Sequence, residues 1–500
     1  MRMVDVRPVT VADMLFARDR RAVRQRRFLQ MSPVLISFTM NIPGPVKTSP
    51  AILAAFREGV RRVERAVGVR PIQYEAFTGP EAYFPMNADA AAVKRDMCRI
   101  EDEEPLGRLY DLDVLSERGE KSSRAALGLP PRRCLLCGRP AFECARSRTH
   151  SVAELSREIS RRIDEWQRAT LPERIAEAAV RALICEAETT PKPGLVDRRN
   201  CGSHPDMNLE MLLQSARSLK PYFRECARVG LEKEEADAFP LLRALGIEAE
   251  NTMLRATGGV NAHKGVIFSM GLLAASAAAC LQEFEADAAR ICARAGRMAA
   301  PYVEEHLHSL RAETAHTFGD RLYLETGLRG ARGEAAAGFP SVLKYALPAL
   351  EASESDLHEE APCAPEANPH ENPVEASEAA RASENRNDRW GDTPAGASEG
   401  TRMRLDGFSG KAVSSESKVA PGVYALLRLA AETDDTTLIR RGGLPRAQIV
   451  KNEIRMLLSS GLTRKSVEAL DDQLIRENLT LGGCADLLAC AYFLMAAREI

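Results

Sequence analysis

The order of apolar and polar residues changes character along the chain and divides it into regions. Val34-Leu-Ile-Ser-Phe-Thr-Met40 is a continuous β-branched and aromatic run, the pattern of a buried strand. Residues 51–67 follow with Ile52, Phe56, Val60 and Val63 at helical spacing. Residues 72–77 predict a second strand, closed by a turn at Gly79-Pro80. Leu109-Tyr-Asp-Leu-Asp-Val-Leu115 alternates, with Tyr110, Leu112 and Val114 on one face and Asp111 and Asp113 on the other. With a helix over residues 5–30, these elements predict an α+β domain.

From about residue 170 the period becomes helical. Ile175, Ala179, Leu183 and Ala187 form one apolar stripe, and residues 209–219 and 239–254 carry others. Pro172 is expected near a helix start. Residues 266–281 carry no charge and fall short of the ~20 residues that a membrane span needs, so they predict a helix buried on all sides. Residues 352–419 are dominated by Ala, Glu, Ser, Pro, Asn and Gly, with too few large apolar residues to order themselves. The expected fold is therefore multidomain. An α+β domain spans residues 1–170, and an all-α domain spans 171–351 and 420–500. A disordered low-complexity insertion at 352–419 interrupts the second.

Composition agrees with this division. Five hundred residues exceed one ordinary core, and 45% hydrophobic content is ample for two. The net charge of -2 gives no argument for nucleic acid or an anionic membrane as partner. Residues 1–10 do not read as a signal peptide. The twelve cysteines are scattered, which predicts reduced thiols and a cytoplasmic location.

The candidate chemistry concentrates in loops. Glu188–Met207 sets Lys192, Asp197, His204 and Asp206 among prolines and glycines, between two helical runs. A second glycine-rich stretch, Thr257–Gly265, holds Gly258, Gly259, His263 and Lys264 at the start of the buried helix, where backbone N–H groups suit an anion. A third, Thr326–Glu334, carries Arg329, Arg332 and Glu334. In the front domain Asp111 and Asp113 read either as an acidic solvent face or as a Mg²⁺ site. Arg18 and Arg21, in a basic helix, and Lys47, after a Pro-Gly-Pro turn, are phosphate candidates. Cys134, Cys137, Cys144 and His150 have the ligand types of a structural zinc site, with free thiols the alternative. Asp434-Asp435 and Asp471-Asp472 raise a third reading, an all-helical diphosphate-processing enzyme such as a prenyl synthase. That reading requires the two pairs to face each other, and neither pair completes a DDxxD pattern.

Two resemblances cover nearly the whole chain. The front part, with Ser37–Lys47, Asp111-Leu-Asp113 and Cys134 through His150, resembles apo-citrate lyase phosphoribosyl-dephospho-CoA transferases. The remainder resembles triphosphoribosyl-dephospho-CoA synthases. It does so through Thr190–Asp197, Gly202–Asp206, Gly258–Gly265, Gly330–Glu334 and Arg441-Gly-Gly443. The resemblance implies a nucleotidyltransferase-like front domain and a fused, bifunctional enzyme. One half would join ATP and 3′-dephospho-CoA with loss of adenine. The other would transfer phosphoribosyl-dephospho-CoA to a serine of the citrate lyase acyl carrier subunit with loss of pyrophosphate. It further implies Mg²⁺ held by Asp111 and Asp113 in one site and by Asp197 and Glu334 in the other. Lys192, Lys264, Arg329 and Arg332 would bind triphosphate beside Gly258 and Gly259, with His204, His263 and Asp206 as catalytic groups. Thr437 stands where the family pattern would place an asparagine. Two alternatives remain open: the malonate decarboxylase carrier subunit as acceptor, and a front half that is only a zinc-stabilised docking module.

Overall fold

The computed structural model describes residues 5–285, 287–358 and 419–500. The expected insertion at 352–419 thus lies largely outside the described residues, and the preceding helix continues to His358.

The front domain is built on one antiparallel sheet of order β2-β3-β1-β4. The strands are β1 (Val34–Met40), β2 (Ile72–Tyr74), β3 (Glu81–Met86) and β4 (Tyr110–Ser116). Helix α1 (Val11–Leu29) covers one face through Phe28, which packs with Leu35, Tyr83 and Leu115. Helices α2 (Pro50–Val67) and α3 (Ala90–Glu103) cover the other. Ser49 caps α2 by accepting from the Ile52 N–H, and Pro50 occupies its first turn, where a missing N–H costs nothing. The stripe Ile52, Phe56, Val60, Val63 is buried, and the Phe56 and Phe38 rings lie 5.0 Å apart. Gly59 is required at this crossing, because a Cβ there would lie 2.5 Å from the Phe38 ring.

Strand β3 departs from the sequence expectation, which placed only a turn there. Pro85 obscures it. Yet β2 pairs only with Glu81–Tyr83, so Pro85 sits beside an edge left open, where no ladder donor is missed.

After the short α4 (Ala141–Ser147), helix α5 (Val152–Glu188) runs continuously through both domains. Its Ile159, Ile163 and Trp166 belong to the front core, while Leu171, Ile175, Ala179 and Leu183 belong to the helical core. Pro172 lies inside this helix rather than at a helix start.

The helical domain continues with α6 (Leu209–Ser218), α7 (Lys220–Glu232), α8 (Glu235–Ala256), α9 (Lys264–Gln282) and α10 (Ala288–Ser309). Then come α11 (Phe318–Thr326), α12 (Gly330–Ala336), a π-helical turn Val342–Ala346 and α13 (Leu347–His358). It closes with α14 (Pro421–Glu432), α15 (Thr436–Ser460), α16 (Arg464–Arg476) and α17 (Gly482–Ala497). The apolar α9 is long enough to cross a membrane but is packed inside this domain, as its all-round apolar pattern predicts. Helix α15 is kinked at Gly443, where φ is 74°.

The 189–207 loop is fixed from beneath by α16. Asp471, with no exposure, accepts from the Gly194 N–H at 2.8 Å and from Asn200 Nδ2 at 2.8 Å, and pairs with Arg199. Gly194 has φ 69°, and a Cβ there would lie 2.4 Å from the Leu479 carbonyl oxygen. Replacing Asp471 by Ala would strand these donors. The expected result is a loss of about 2 kcal/mol in unfolding free energy, measured by urea titration.

Candidate active sites

A cavity of about 560 Å³ opens in the helical domain, where the N-termini of three long helices meet. Lys264 and Gly265 open α9, Asp435, Thr436 and Thr437 open α15, and Gly482 and Gly483 open α17, all lining the cavity. Helix N-termini present backbone N–H groups and the positive end of the helix dipole, so their convergence favours an anion.

Carboxylates line the same space. Asp435 caps α15 by accepting from the N–H groups of Thr437 at 2.7 Å and Leu438 at 3.0 Å. Its other oxygen accepts from the Cys484 N–H at 2.9 Å, tying α15 to α17. Burial raises its pKa. Asp486, one turn into α17, is raised well above the carboxylate range by burial first, with the charges of Glu186 and Asp435 adding. Gly265 backs Asp486 so closely that a Cβ there would lie 2.0 Å from its Oδ2. Glu186, at the end of α5, pairs with Lys192 Nζ at 2.6 Å. Asp486 is thus a buried carboxyl facing two further acids in a cavity that otherwise favours anions.

The expected site residues divide into two groups. Lys192, His204, His263, Lys264 and Glu334 line the cavity. Lys192 is 1% exposed, and Lys264 Nζ lies 2.9 Å from Glu250. Glu334 accepts from the Ser341 N–H at 2.7 Å and its hydroxyl at 3.0 Å, and burial raises its pKa.

The others lie elsewhere. Asp197 accepts from the N–H groups of Lys192, Arg199 and Asn200, so it holds the loop's shape rather than facing the cavity. Asp206 is exposed. Arg329 pairs with Glu304 and Arg332 with Asp320, and the stretch carrying them is helix α12 rather than an open loop. Gly258 and Gly259 form a left-handed turn before the cavity wall and do not line it. The prenyl-synthase arrangement is absent among the described residues: Asp434 and Asp435 line the cavity, while Asp471 lies beneath the 189–207 loop.

The two histidines are electrostatically alike. His204 Nε2 lies 2.9 Å from Thr480 Oγ1, and Arg441 Nη2 lies 3.4 Å from Nδ1. Arg441 only donates, so Nδ1 accepts and Nε2 carries the proton. Burial, then the Arg441 charge, lowers the His204 pKa to about 4. His263 Nδ1 lies 2.7 Å from Ser215 Oγ, while its buried Nε2 has no partner. Burial, then Lys192, lowers its pKa to about 4. Both rings are neutral at pH 7, so neither supplies a standing imidazolium acid.

In the front domain the sheet face toward α1 is apolar at the Leu35–Leu115 end and polar at the Thr39–Asp111 end. Register aligns Glu81, Thr39 and Asp111 in one row and Tyr83, Ser37 and Asp113 in the next. Glu81, 3% exposed, accepts from Arg21 at 3.1 Å, Arg24 at 3.0 Å and the Tyr83 hydroxyl at 2.5 Å. Neither Glu81 nor Arg24 stands out in the sequence. Asp113 pairs with Lys121, and Asp111 lies 3.6 Å from Arg132. Partial desolvation, then the Asp113 charge, raises the Asp111 pKa although its side chain is 48% exposed. Lys47 Nζ donates to the Ile42 carbonyl at 2.6 Å, and burial lowers its pKa. Arg18 is exposed on α1. The ligand atoms of Cys134, Cys137, Cys144 and His150 all lie within 4.8 Å of one another, close enough to hold a metal ion.

The helical domain thus holds a cavity walled by acids and helix N-termini, and the front domain a separate acid pair on its sheet, both suited to phosphorylated groups. Residues 9–166 match the family described as apo-citrate lyase phosphoribosyl-dephospho-CoA transferase, and residues 172–364 and 405–500 match ATP:dephospho-CoA triphosphoribosyl transferase. Protein CitXG of Haemophilus influenzae is 30% identical over 98% of this chain and 97% of its own length. Protein CitXG of Leuconostoc mesenteroides subsp. cremoris is 29% identical over 95% of each. The 2-(5′′-triphosphoribosyl)-3′-dephosphocoenzyme-A synthase of Haemophilus ducreyi is 30% identical over 72% of this chain and 99% of its own length. The chain belongs to the fused family that carries both transferase activities of citrate lyase prosthetic-group synthesis.

His263 also makes stability depend on pH. Its folded pKa of about 4 lies below the roughly 6.5 of an unfolded histidine, so the unfolded chain takes up the proton first as pH falls. Its contribution is complete above pH ~6.5 and is lost down to pH ~4. Urea midpoints across this window should fall, and His263→Gln should remove up to about 1.4 kcal/mol per pH unit of the slope.

Proposed function

We propose that the helical cavity is the synthase centre and that the polar sheet face is the transfer centre. The observation that carries the first assignment is the convergence of three helix N-termini and the Glu186–Asp435–Asp486 carboxylates on one cavity. In this reading the triphosphate of ATP lies against the N-termini of α9, α15 and α17, with Lys192 and Lys264 beside it. Asp435, Asp486 and Glu186 are the carboxylates that would hold Mg²⁺ here, and the ion would supply charge neutralisation for the triphosphate. The 2′-hydroxyl of 3′-dephospho-CoA attacks ribose C1′ of ATP, the C1′–N9 bond breaks, and the triphosphate stays on the product. Glu334, raised by burial, is suited to accept the hydroxyl proton. With Nδ1 accepting from Ser215, His263 Nε2–H is free to donate a hydrogen bond to the departing adenine. His204, locked between Thr480 and Arg441, positions the loop wall.

At the sheet, which we read as nucleotidyltransferase-like, the serine hydroxyl of the acyl carrier subunit attacks the phosphorus nearest the ribosyl group. Pyrophosphate leaves. Asp111 and Asp113 have the chemistry to hold Mg²⁺ at that phosphate, and Lys47 lies in the loop after β1, at the Asp111 end of the paired strands. Zinc is the metal whose ligand preferences the Cys₃His cluster matches. Both reactions belong to the cytoplasm, where ATP and dephospho-CoA are available.

Incubation with ATP, dephospho-CoA, Mg²⁺ and apo-citrate lyase tests both halves. Adenine should appear without the acceptor, and pyrophosphate only with it. Asp486→Asn should abolish adenine release. Asp111→Asn should lower pyrophosphate release by about a hundredfold, the scale of losing a main electrostatic group, and leave adenine release intact. Undiminished transfer by Asp111→Asn would reduce the front half to a docking module.

A further inference from the structure

The segment between β4 and α5 has little apolar anchoring. Its first part is tied down by Arg124 on Glu101 and Asp102 and by Lys121 on Asp113, and beyond it only Leu135 packs against the front core. From Glu117 to His150 the one buried residue is Cys144. A stretch of this length with no apolar core of its own needs a cross-link or a metal to adopt one conformation. The segment nevertheless carries Arg132, which lies 3.6 Å from Asp111 and donates to the carbonyls of Arg108 at 3.1 Å and Tyr110. Arg132 is thus a cation set against Asp111 at the proposed transfer site, as Lys121 is against Asp113.

We propose that Cys134, Cys137, Cys144 and His150 bind one zinc ion, and that this ion is what holds Arg132 against Asp111. The donor set is that of a closed structural zinc site. Cys137 and Cys144 sulfurs are 3.5 Å apart, and His150 Nε2 is 3.4 Å from the Cys137 sulfur. Zn–S bonds of ~2.3 Å place two sulfurs of a tetrahedron about 3.8 Å apart, so the four atoms already outline the cage. The backbone leads from the cage to Arg132 without slack. Cys134 N–H donates to the Arg139 carbonyl at 2.7 Å, Arg133 and Pro140 form a β-bridge, and Ala141 N–H donates to the Arg132 carbonyl at 2.7 Å. His150 ties the knuckle to the start of α5, and Arg162 on α5 donates to the Leu135 carbonyl at 3.3 Å. Arg132 acts as a positioning residue through this scaffold. The role in transfer rests on the assignment of the sheet face above; the zinc site does not.

The test uses the full chain, purified without chelator, with metal measured by mass spectrometry and the two activities assayed separately. One zinc per chain is expected. His150→Ala should lose the zinc and lower pyrophosphate release at least tenfold, while adenine release stays unchanged and reports that the rest of the protein is folded. His150→Cys, which makes a four-thiolate site, should restore both zinc and transfer. Arg132→Ala should keep the zinc and lower transfer. Absence of metal, or a Cys137–Cys144 disulfide in the purified protein, would overturn the site. Full transfer by zinc-free His150→Ala would overturn the positioning role. A wild type that binds zinc but shows no transfer would instead refute the assignment of the sheet face.

Discussion

Asp471 lies unexposed beneath the 189–207 loop, and its two oxygens take up the Gly194 N–H, Asn200 and Arg199. A buried carboxylate is costly unless its lone pairs are satisfied, so the loop cannot leave α16 without stranding a charge. Lys192 and His204 reach the cavity because this contact fixes the backbone between them. Asp197 completes the device from within, accepting three backbone N–H groups of the same loop. The stiffness suggested by the prolines and glycines is therefore real, and two aspartates rather than the prolines alone supply it.

Opposite this wall stand the starts of α9, α15 and α17. One side is a pinned loop carrying a buried lysine. The other combines helix N-termini with the buried carboxyls of Asp435 and Asp486. The proposed metal–triphosphate site draws on both sides. In the front domain a sheet does the gathering: strand alternation puts Asp111 beside Asp113, and register puts Asp111 in line with Glu81. Helix α5 joins the two cores as one continuous element.

The sequence made some of this legible for identifiable reasons. Strands β1 and β4 and helix α2 follow directly from their periodicity, and the shared face of Asp111 and Asp113 follows from strict alternation. The cavity wall was harder to see. Glu186, Asp435 and Asp486 come from three helices distant in sequence, and each reads locally as a helix-end acid. The glycines around Arg329 and Arg332 read as an open loop. Gly330 and Gly333 instead sit in helix α12, with Arg329 at its N-cap turned to Glu304 and Arg332 within it turned to Asp320. Glu81 was hidden at the start of a strand that Pro85 obscured. Residue type and order survive in the sequence; which charged side chain finds its partner nearby, and is thereby removed from the site, is decided by packing.

The central claim is that one acidic, helix-capped cavity holds the metal–triphosphate. Mn²⁺ binding measured by electron paramagnetic resonance, with and without ATP, in the Asp111→Asn background that removes the front site's contribution, tests it directly. The account predicts Mn²⁺ bound with ATP in that background and lost when Asp435→Asn and Asp486→Asn are added. Equal Mn²⁺–ATP binding with and without those two carboxylates would contradict it.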